Sequence, residues 1–306
     1  MNTTKSRDPL LSIIIPGRND GFMMNFNYRL QTTLDYLARN LKVLGRLKDV
    51  EIVIGDWGSD VPLHEVLSIS DEAKEITRYV VIPPQYAKPL QGDAEFPIVM
   101  VQNAAIRRCL GRYIMQTDSD VLFTQEFLAK LFNLLEGTLV PGLDLTHALF
   151  GSKRGHVPWS VVQKCPSIDQ LDVFVHKHGH ELQVDVHHEF KYCATGMMFM
   201  HRDTWNECSG YDERLTHWGW MEIDLGMRIT QRYPYIDVTE AFGMLLFHLE
   251  HYPHTGEGRK SSRKMNVMNR PTAFRPNGDL WGFPTLEFST YYYANPTASS
   301  LAPDKV

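Results

Sequence analysis

Four short apolar runs, each cut off by a polar cluster, constrain this chain more than any other feature of its sequence. Leu10–Pro16 reads Leu-Leu-Ser-Ile-Ile-Ile-Pro and stops at Gly17-Arg18-Asn19-Asp20. Val50–Gly55 stops at Asp56-Trp57-Gly58-Ser59, Arg78–Ile82 at Pro83-Pro84, and Arg112–Thr117 at Asp118-Ser119-Asp120. Runs this short, rich in β-branched residues and bounded by Pro or Gly, read as buried strands. Helical patterns lie between them. Leu30, Leu34, Leu37, Leu41 and Leu44 share one helix face; further helices are expected around Val99–Leu110 and over Gln125–Leu135. Near-continuously apolar strands alternating with helices predict an α/β, Rossmann-like fold: a mostly parallel central sheet with helices on both faces. Such sheets bind ligands beyond the carboxyl ends of their strands. The clusters at Arg18–Asp20, Asp56 and Asp118/Asp120 fall at those ends.

After Val140 the pattern loosens. A helix is expected over Ile168–His176, then a His-rich loop to His188, a strand over Thr195–His201, and a helix near Asp203–Cys208. A further helix near Met221–Arg232 carries Leu225 and Ile229 as an apolar pair, and Gly243–His248 reads as a last strand. The tail from His254 reads as loop. A length of 306 residues fits one large domain with an ample core. A net charge of -5 argues against nonspecific nucleic-acid binding. Four cysteines without a C-x-x-C pair suggest a reducing compartment, so a cytoplasmic location is expected. The polar start, with Asp8, is not a signal peptide. No apolar run approaches the roughly 20 residues of a membrane helix. The chain is expected to be soluble, or at most peripheral to a membrane.

Three stretches carry chemistry. In Asp118-Ser119-Asp120 two carboxylates at a strand-to-loop junction can reach one hard cation, which can bridge a diphosphate; turn-favouring Asp residues alone also produce such triplets. His217-Trp218-Gly219-Trp220-Met221-Glu222-Ile223-Asp224 runs a Trp/Gly loop into a helix. Acids there can simply cap the helix. Read functionally, Glu222 is a general base, Trp218, Gly219 and Trp220 form a sugar-stacking wall, and Asp224 either hydrogen-bonds an acceptor or caps the helix. In Phe247-His248-Leu249-Glu250-His251, His248, with His251 as the alternative, can complete a metal site with the aspartates. Manganese accepts such mixed oxygen and imidazole ligands, whereas magnesium prefers oxygen and water. His176, His178, His180, His187 and His188 lack cysteines and regular spacing, so a solvated loop is favoured over a zinc site. Arg259-Lys260 and Arg263-Lys264 are either a solvated basic run or a phosphate clamp.

In this order the pieces resemble GT-A glycosyltransferases, closest to family 2, over roughly residues 10–255. Ile13–Pro16 resembles the opening strand, Glu51–Ser59 the second strand with its D-D-G-S turn, Thr117–Asp120 the D-x-D, and Cys193–Gly196 through Leu225 the acceptor region ending in W-G-x-E-D-x-D. The resemblance implies a donor half at 1–140, an acceptor and catalytic half at 141–255, and a loop-rich tail at 256–306, in one continuous GT-A domain. Pro16-Gly17-Arg18-Asn19 is similar to the P-F-R-N of β-1,4-galactosyltransferases, which implies Arg18 at the nucleotide diphosphate. Asp56 then falls where the base is held, Asp118 and Ser119 on the ribose side, and Asp120 on the metal. His248 resembles the downstream metal ligand of chondroitin-polymerase-type domains. Two positions depart: Trp57 replaces the second Asp of D-D-G-S, and Met221 replaces one acid of the E-D pair. The implied activity is metal-dependent inverting transfer, with Mn2+ or Mg2+, of a sugar from a nucleoside-diphosphate donor (a UDP-sugar first) to a glycan or other hydroxyl acceptor. A retaining transferase, a nucleotidyltransferase and a non-catalytic nucleotide-sugar-binding domain are the alternatives.

Overall fold

The computed structural model describes residues 8–185, 196–251 and 273–293. The expected parallel strands form the middle of an eight-stranded sheet. These are β1 (Leu11–Gly17), β2 (Val50–Trp57), β3 (Thr77–Ile82) and β4 (Tyr113–Thr117). β2 and β4 flank β1, and β3 lies outside β2, all parallel. β1 divides its side chains by alternation. Leu11, Ile13 and Ile15 enter one core with Leu30, Leu34, Leu37 and Leu41 of helix α1 (Phe26–Val43), whereas Ile14 enters a second core on the other face. Helix α2 (Ile98–Ile106) covers that second face and approaches closely because β2 carries Gly55 there. A Cβ on Gly55 would lie 2.6 Å from Val101 Cγ1. Helix α3 (Gln125–Leu135) adds Phe127, Leu128 and Leu131 to the first core. Helices therefore cover both faces, as the strand pattern predicts.

The second half departs from a parallel arrangement. Beyond β4 lie β8 (Met197–His201), antiparallel to it, then β6 (Leu149–Ser152) and β9 (Tyr235–Asp237). The sheet is therefore mixed. Residues 273–293, expected as loop, supply β11 (Ser289–Tyr292), which pairs antiparallel with β3 at the opposite edge. The same segment buries Phe274, Trp281 and Phe288 in the second core, and Arg108 donates to the carbonyls of Gly282, Phe283 and Leu286. These anchors are apolar and aromatic single residues separated by Gly, Pro and Asn, so they leave no periodic signal in the sequence.

The strand expected at Gly243–His248 is shorter, β10 (Leu246–Leu249), and lies outside the main sheet. It joins β5 (Val121–Leu122), antiparallel, and β7 (Arg154–Val157), parallel, in a small three-stranded sheet. One face of this sheet, Leu122, Val157, Phe247 and Leu249, packs on Leu171 and Val175 of helix α4 (Ile168–His178). The helix expected to end at His176 runs on through His178, and His180 belongs to the single turn after it rather than to an open loop. His187, His188, Cys193 to Thr195 and the basic pairs at 259–264 lie outside the described residues.

Candidate active site

The small sheet assembles the site. Three short strands with one face in the core must turn their alternate residues the other way. β5 follows directly on Asp118-Ser119-Asp120, and the backbone N–H of Leu249 donates to the carbonyl of Asp120 at 2.8 Å. In the parallel pairing of β7 and β10, His156 stands opposite His248. Asp120, His248 and His251 come together so that one ligand atom from each lies within 4.8 Å of the others. The two histidines, expected as alternatives, thus both face the aspartate. A carboxylate oxygen and two imidazole nitrogens suit a borderline divalent ion such as manganese.

Asp120 is buried, and its carboxylate meets His248 Nε2 at 3.2 Å and Arg29 Nε at 3.2 Å. Burial alone would raise its pKa; His248, Arg29 and His251 override that and hold it below the usual carboxylate range. His248 shows the converse. Burial disfavours its charge, but Asp120 and Glu250 push it up to about 9. Arg29, on α1, is fully buried and donates as well to the carbonyls of Phe22, Met23 and Met24. Met23, Met24 and Asn25 all have positive φ, between 52 and 58°, a costly backbone for non-glycine residues. One guanidinium thus ties that strained turn to the candidate metal aspartate.

Asp118 takes a different partner. Its Oδ2 accepts from Arg154 Nη1 at 2.9 Å, and Arg154 Nε donates to Asp185 at 2.8 Å. His156 donates through Nε2 to Asp185 Oδ1 at 2.7 Å and through Nδ1 to Glu250; these two carboxylates raise it to about 9. Glu250 in turn meets His248 Nδ1 at 3.2 Å. The contacts close a ring of alternating charge, from Asp120 through His248, Glu250, His156, Asp185 and Arg154 to Asp118, completed by the chain through Ser119. No site motif in the sequence assigns a role to Arg29, Arg154, His156, Asp185 or Glu250. The alternation in Arg154-Gly155-His156 was the available signal, a short strand with both polar residues on one face.

Glu222 opens helix α5 (Met221–Ile229), after Gly219 and Trp220 at positive φ. Among the described residues no other side chain hydrogen-bonds its carboxylate. Burial and the nearby Asp118 push it up to about 7, with Arg154 opposing. A backbone hydrogen bond also opposes the rise, and a carboxyl that ionises near neutrality is suited to take up a proton.

The remaining expected site residues separate into two groups. Arg18 and Asn19 follow β1 at its carboxyl end. Arg18 pairs with Asp20 at 2.7 Å and reaches Gln91 Oε1 at 3.3 Å, and Asn19 Nδ2 donates to the carbonyl of Val61. Trp57 Nε1 donates to that same Gln91 oxygen at 3.2 Å, so the residue in place of an acid braces Arg18 through a glutamine. Trp218 is 59% exposed. The other group is internal. Pro16 lies within β1, paired with Gly55. Asp56 is fully buried, accepting from Ser59 Oγ and from the Leu63 N–H, and shapes the turn after β2. Trp220 lies in the second core. Asp224 neither caps its helix nor faces outward; it is buried against Arg228 Nε at 2.7 Å, and Arg228 spans to the carbonyls of Cys208, Gly210 and Phe274. The tryptophan pair therefore offers one ring outward instead of two, because the left-handed turn at Gly219-Trp220 directs the second inward.

No family model and no curated protein matches this chain. Solved structures resemble it in outline. S. aureus TarS matches over 78% of this chain and 36% of that one, at 12% identity and a TM-score of 0.48. TarS 1-349 matches over 76% and 61%, at 14% and 0.45. The catalytic domain of Drosophila beta1,4-galactosyltransferase 7, in complex with xylobiose, matches over 85% and 80%, at 11% and 0.41. The chain thus spans well under two thirds of the longer TarS structure. At these identities and scores the likeness carries no activity across. No helix among the described residues is long and apolar enough to cross a membrane.

Proposed function

We propose that the chain is a metal-dependent, inverting glycosyltransferase of the GT-A type. It would move a sugar from a nucleoside-diphosphate donor, a UDP-sugar first, to a hydroxyl of a glycan or other acceptor. The observation that carries this reading is the convergence of Asp120, His248 and His251, one ligand atom from each within 4.8 Å of the others; Glu222, lifted to about 7 by burial and the charge of Asp118, supports it. A divalent ion on that triad would neutralise charge developing on the leaving diphosphate. Arg18, beyond β1, offers a planar guanidinium for the phosphates. Trp218 offers a ring face to the acceptor sugar. Glu222 accepts the proton of the acceptor hydroxyl as its oxygen attacks the anomeric carbon, and the bond from that carbon to the diphosphate oxygen breaks on the opposite side. Arg154 balances Asp118 and Asp185, so the acids around Glu222 do not all repel the charge it carries before the step.

Release of nucleoside diphosphate from a panel of nucleotide sugars, with Mn2+ and then after exhaustive chelation, tests the reading. Metal-dependent release from one donor, increased by a hydroxyl acceptor, is expected. Full release after chelation would remove the metal from the mechanism. Saturable nucleotide-sugar binding with no release would leave a binding domain.

A further inference from the structure

Glu250 supports the candidate metal site through one atom. Its Oε1 meets His248 Nδ1 at 3.2 Å and also His156 Nδ1. An imidazole that ligates a metal through one nitrogen needs its other N–H held, because that bond selects the tautomer and turns the ring. His248 meets Asp120 through Nε2, so Nδ1 is the nitrogen to be held, and Glu250 is the group that meets it. Glu250 is itself located by β-structure: its N–H donates to the carbonyl of Val157 at 3.0 Å, next to His156 on β7. His156 is clamped in turn. Its Nε2 meets Asp185 Oδ1 at 2.7 Å, while Asp185 Oδ2 takes Arg154 Nε at 2.8 Å. Backbone bonds from Asp185 to Arg154 and from His156 to Gln183 fix that segment beside β7.

We propose that Glu250 is a positioning residue that holds His248 Nδ1–H so that Nε2 faces Asp120, and that His156, anchored on Asp185, keeps the Glu250 oxygen in place. This rests on the metal-site reading above. A rival arrangement exists, since His156, His248 and Glu250 also offer ligand atoms within 4.8 Å of one another, which would make Glu250 a ligand itself. The two differ in what Gln can replace. A Gln side chain retains one carbonyl oxygen able to accept from both imidazoles, but it is a far poorer ligand than a carboxylate.

Mn2+ binding to the full chain, titrated by calorimetry and by the loss of the free-ion electron-spin-resonance signal, separates these outcomes. Thermal melting of each variant checks the fold. Glu250→Ala is expected to weaken Mn2+ about 10–100-fold, the usual effect of removing such a support. It should also diminish the 14N coupling of the bound ion, which a purely structural role would leave intact. Glu250→Gln is expected to recover most of the affinity and the nitrogen signal. Gln as weak as Ala in a folded variant would overturn the proposal in favour of direct ligation. Wild-type affinity in Glu250→Ala would overturn it outright. Wild-type protein that takes up no Mn2+ would overturn the metal-site reading, and this inference with it.

Discussion

In a Glu222→Gln variant the side chain keeps its shape and polarity but can no longer take up a proton. If Glu222 is the base, turnover should fall by about 10²–10⁴-fold while donor affinity stays near the wild-type value. The structure adds a second expectation, of opposite sign. Burial first, then Asp118, lifts this carboxyl from 4.5 to about 7. The folded chain therefore holds the proton more tightly than the unfolded chain. That contribution to stability is complete below about pH 4.5 and is lost as the pH rises through about 7. Above that range the ionised group opposes folding by at most about 3 kcal/mol. Water reaching a partly exposed side chain cuts this to about 1–2 kcal/mol. Gln does not carry that penalty. At pH 8 the variant should melt about 2–5 °C higher than wild type, and at pH 4 the two should coincide. The wild-type rate should rise with pH on a limb near 7, and this limb should vanish from the variant's residual rate. Melting curves at both pH values, donor titration and initial rates on one preparation decide the matter. A variant that melts lower at pH 8 and turns over normally would refute the reasoning, leaving Glu222 as a helix cap.

Arg29→Met takes from the buried Asp120 one of its charged partners and removes the guanidinium that donates to the carbonyls of Phe22, Met23 and Met24. Breaking a buried pair on one side costs about 3–5 kcal/mol, readable from a denaturant midpoint, and a loss under about 1 kcal/mol would show the pair to be dispensable. Gly196→Ala would set a Cβ 2.3 Å from Arg154 Cγ and 2.4 Å from Leu246 Cδ1. It should cost about 1–3 kcal/mol and weaken metal uptake through the displaced Arg154; unchanged unfolding would mean that Arg154 relocates freely. Trp218→Ala should raise the acceptor KM with stability within about 0.5 kcal/mol of wild type. Trp220→Ala should instead cost about 3–5 kcal/mol in unfolding experiments, and reversal of this contrast would contradict the left-handed turn between them.

The first half was legible because its signals are local. Ile13–Ile15 and Ile52–Ile54 need no partner information to read as buried strands, since Pro, Gly and acids mark where they stop. Asp118, Asp120 and His248 were legible for a related reason: each ends or occupies an apolar run, where a polar residue stands out. Arg29 did not stand out. It is one of many polar residues in its helix, and only the tertiary placement of Asp120 gives it a buried partner. Arg154 and His156 lie in a short strand paired with β10, far along the chain, and Asp185 in a segment bonded to the other side of that strand. Asp224 shows the reverse error. An acid in the first turn of a helix suggests a cap, but Arg228 one turn later draws it into the interior.

The pairing of β11 with β3 has a kinetic consequence. Thr290 stands opposite Val80, so one edge of the main sheet is closed by residues made long after the strand they cover. On a ribosome, β1 to β4 can pair as they emerge, but β3 then presents an open row of amide and carbonyl groups until the late segment arrives. Contacts of such wide sequence separation form slowly. The charged and aromatic residues along β3, Arg78 and Tyr79, stand on the strand exposed during that interval. Truncation before residue 289 should leave the central strands able to form and the nascent chain prone to self-association. Release of full-length protein from the ribosome should then be followed by a slow phase in which the Tyr79, Tyr291 and Tyr293 rings come together.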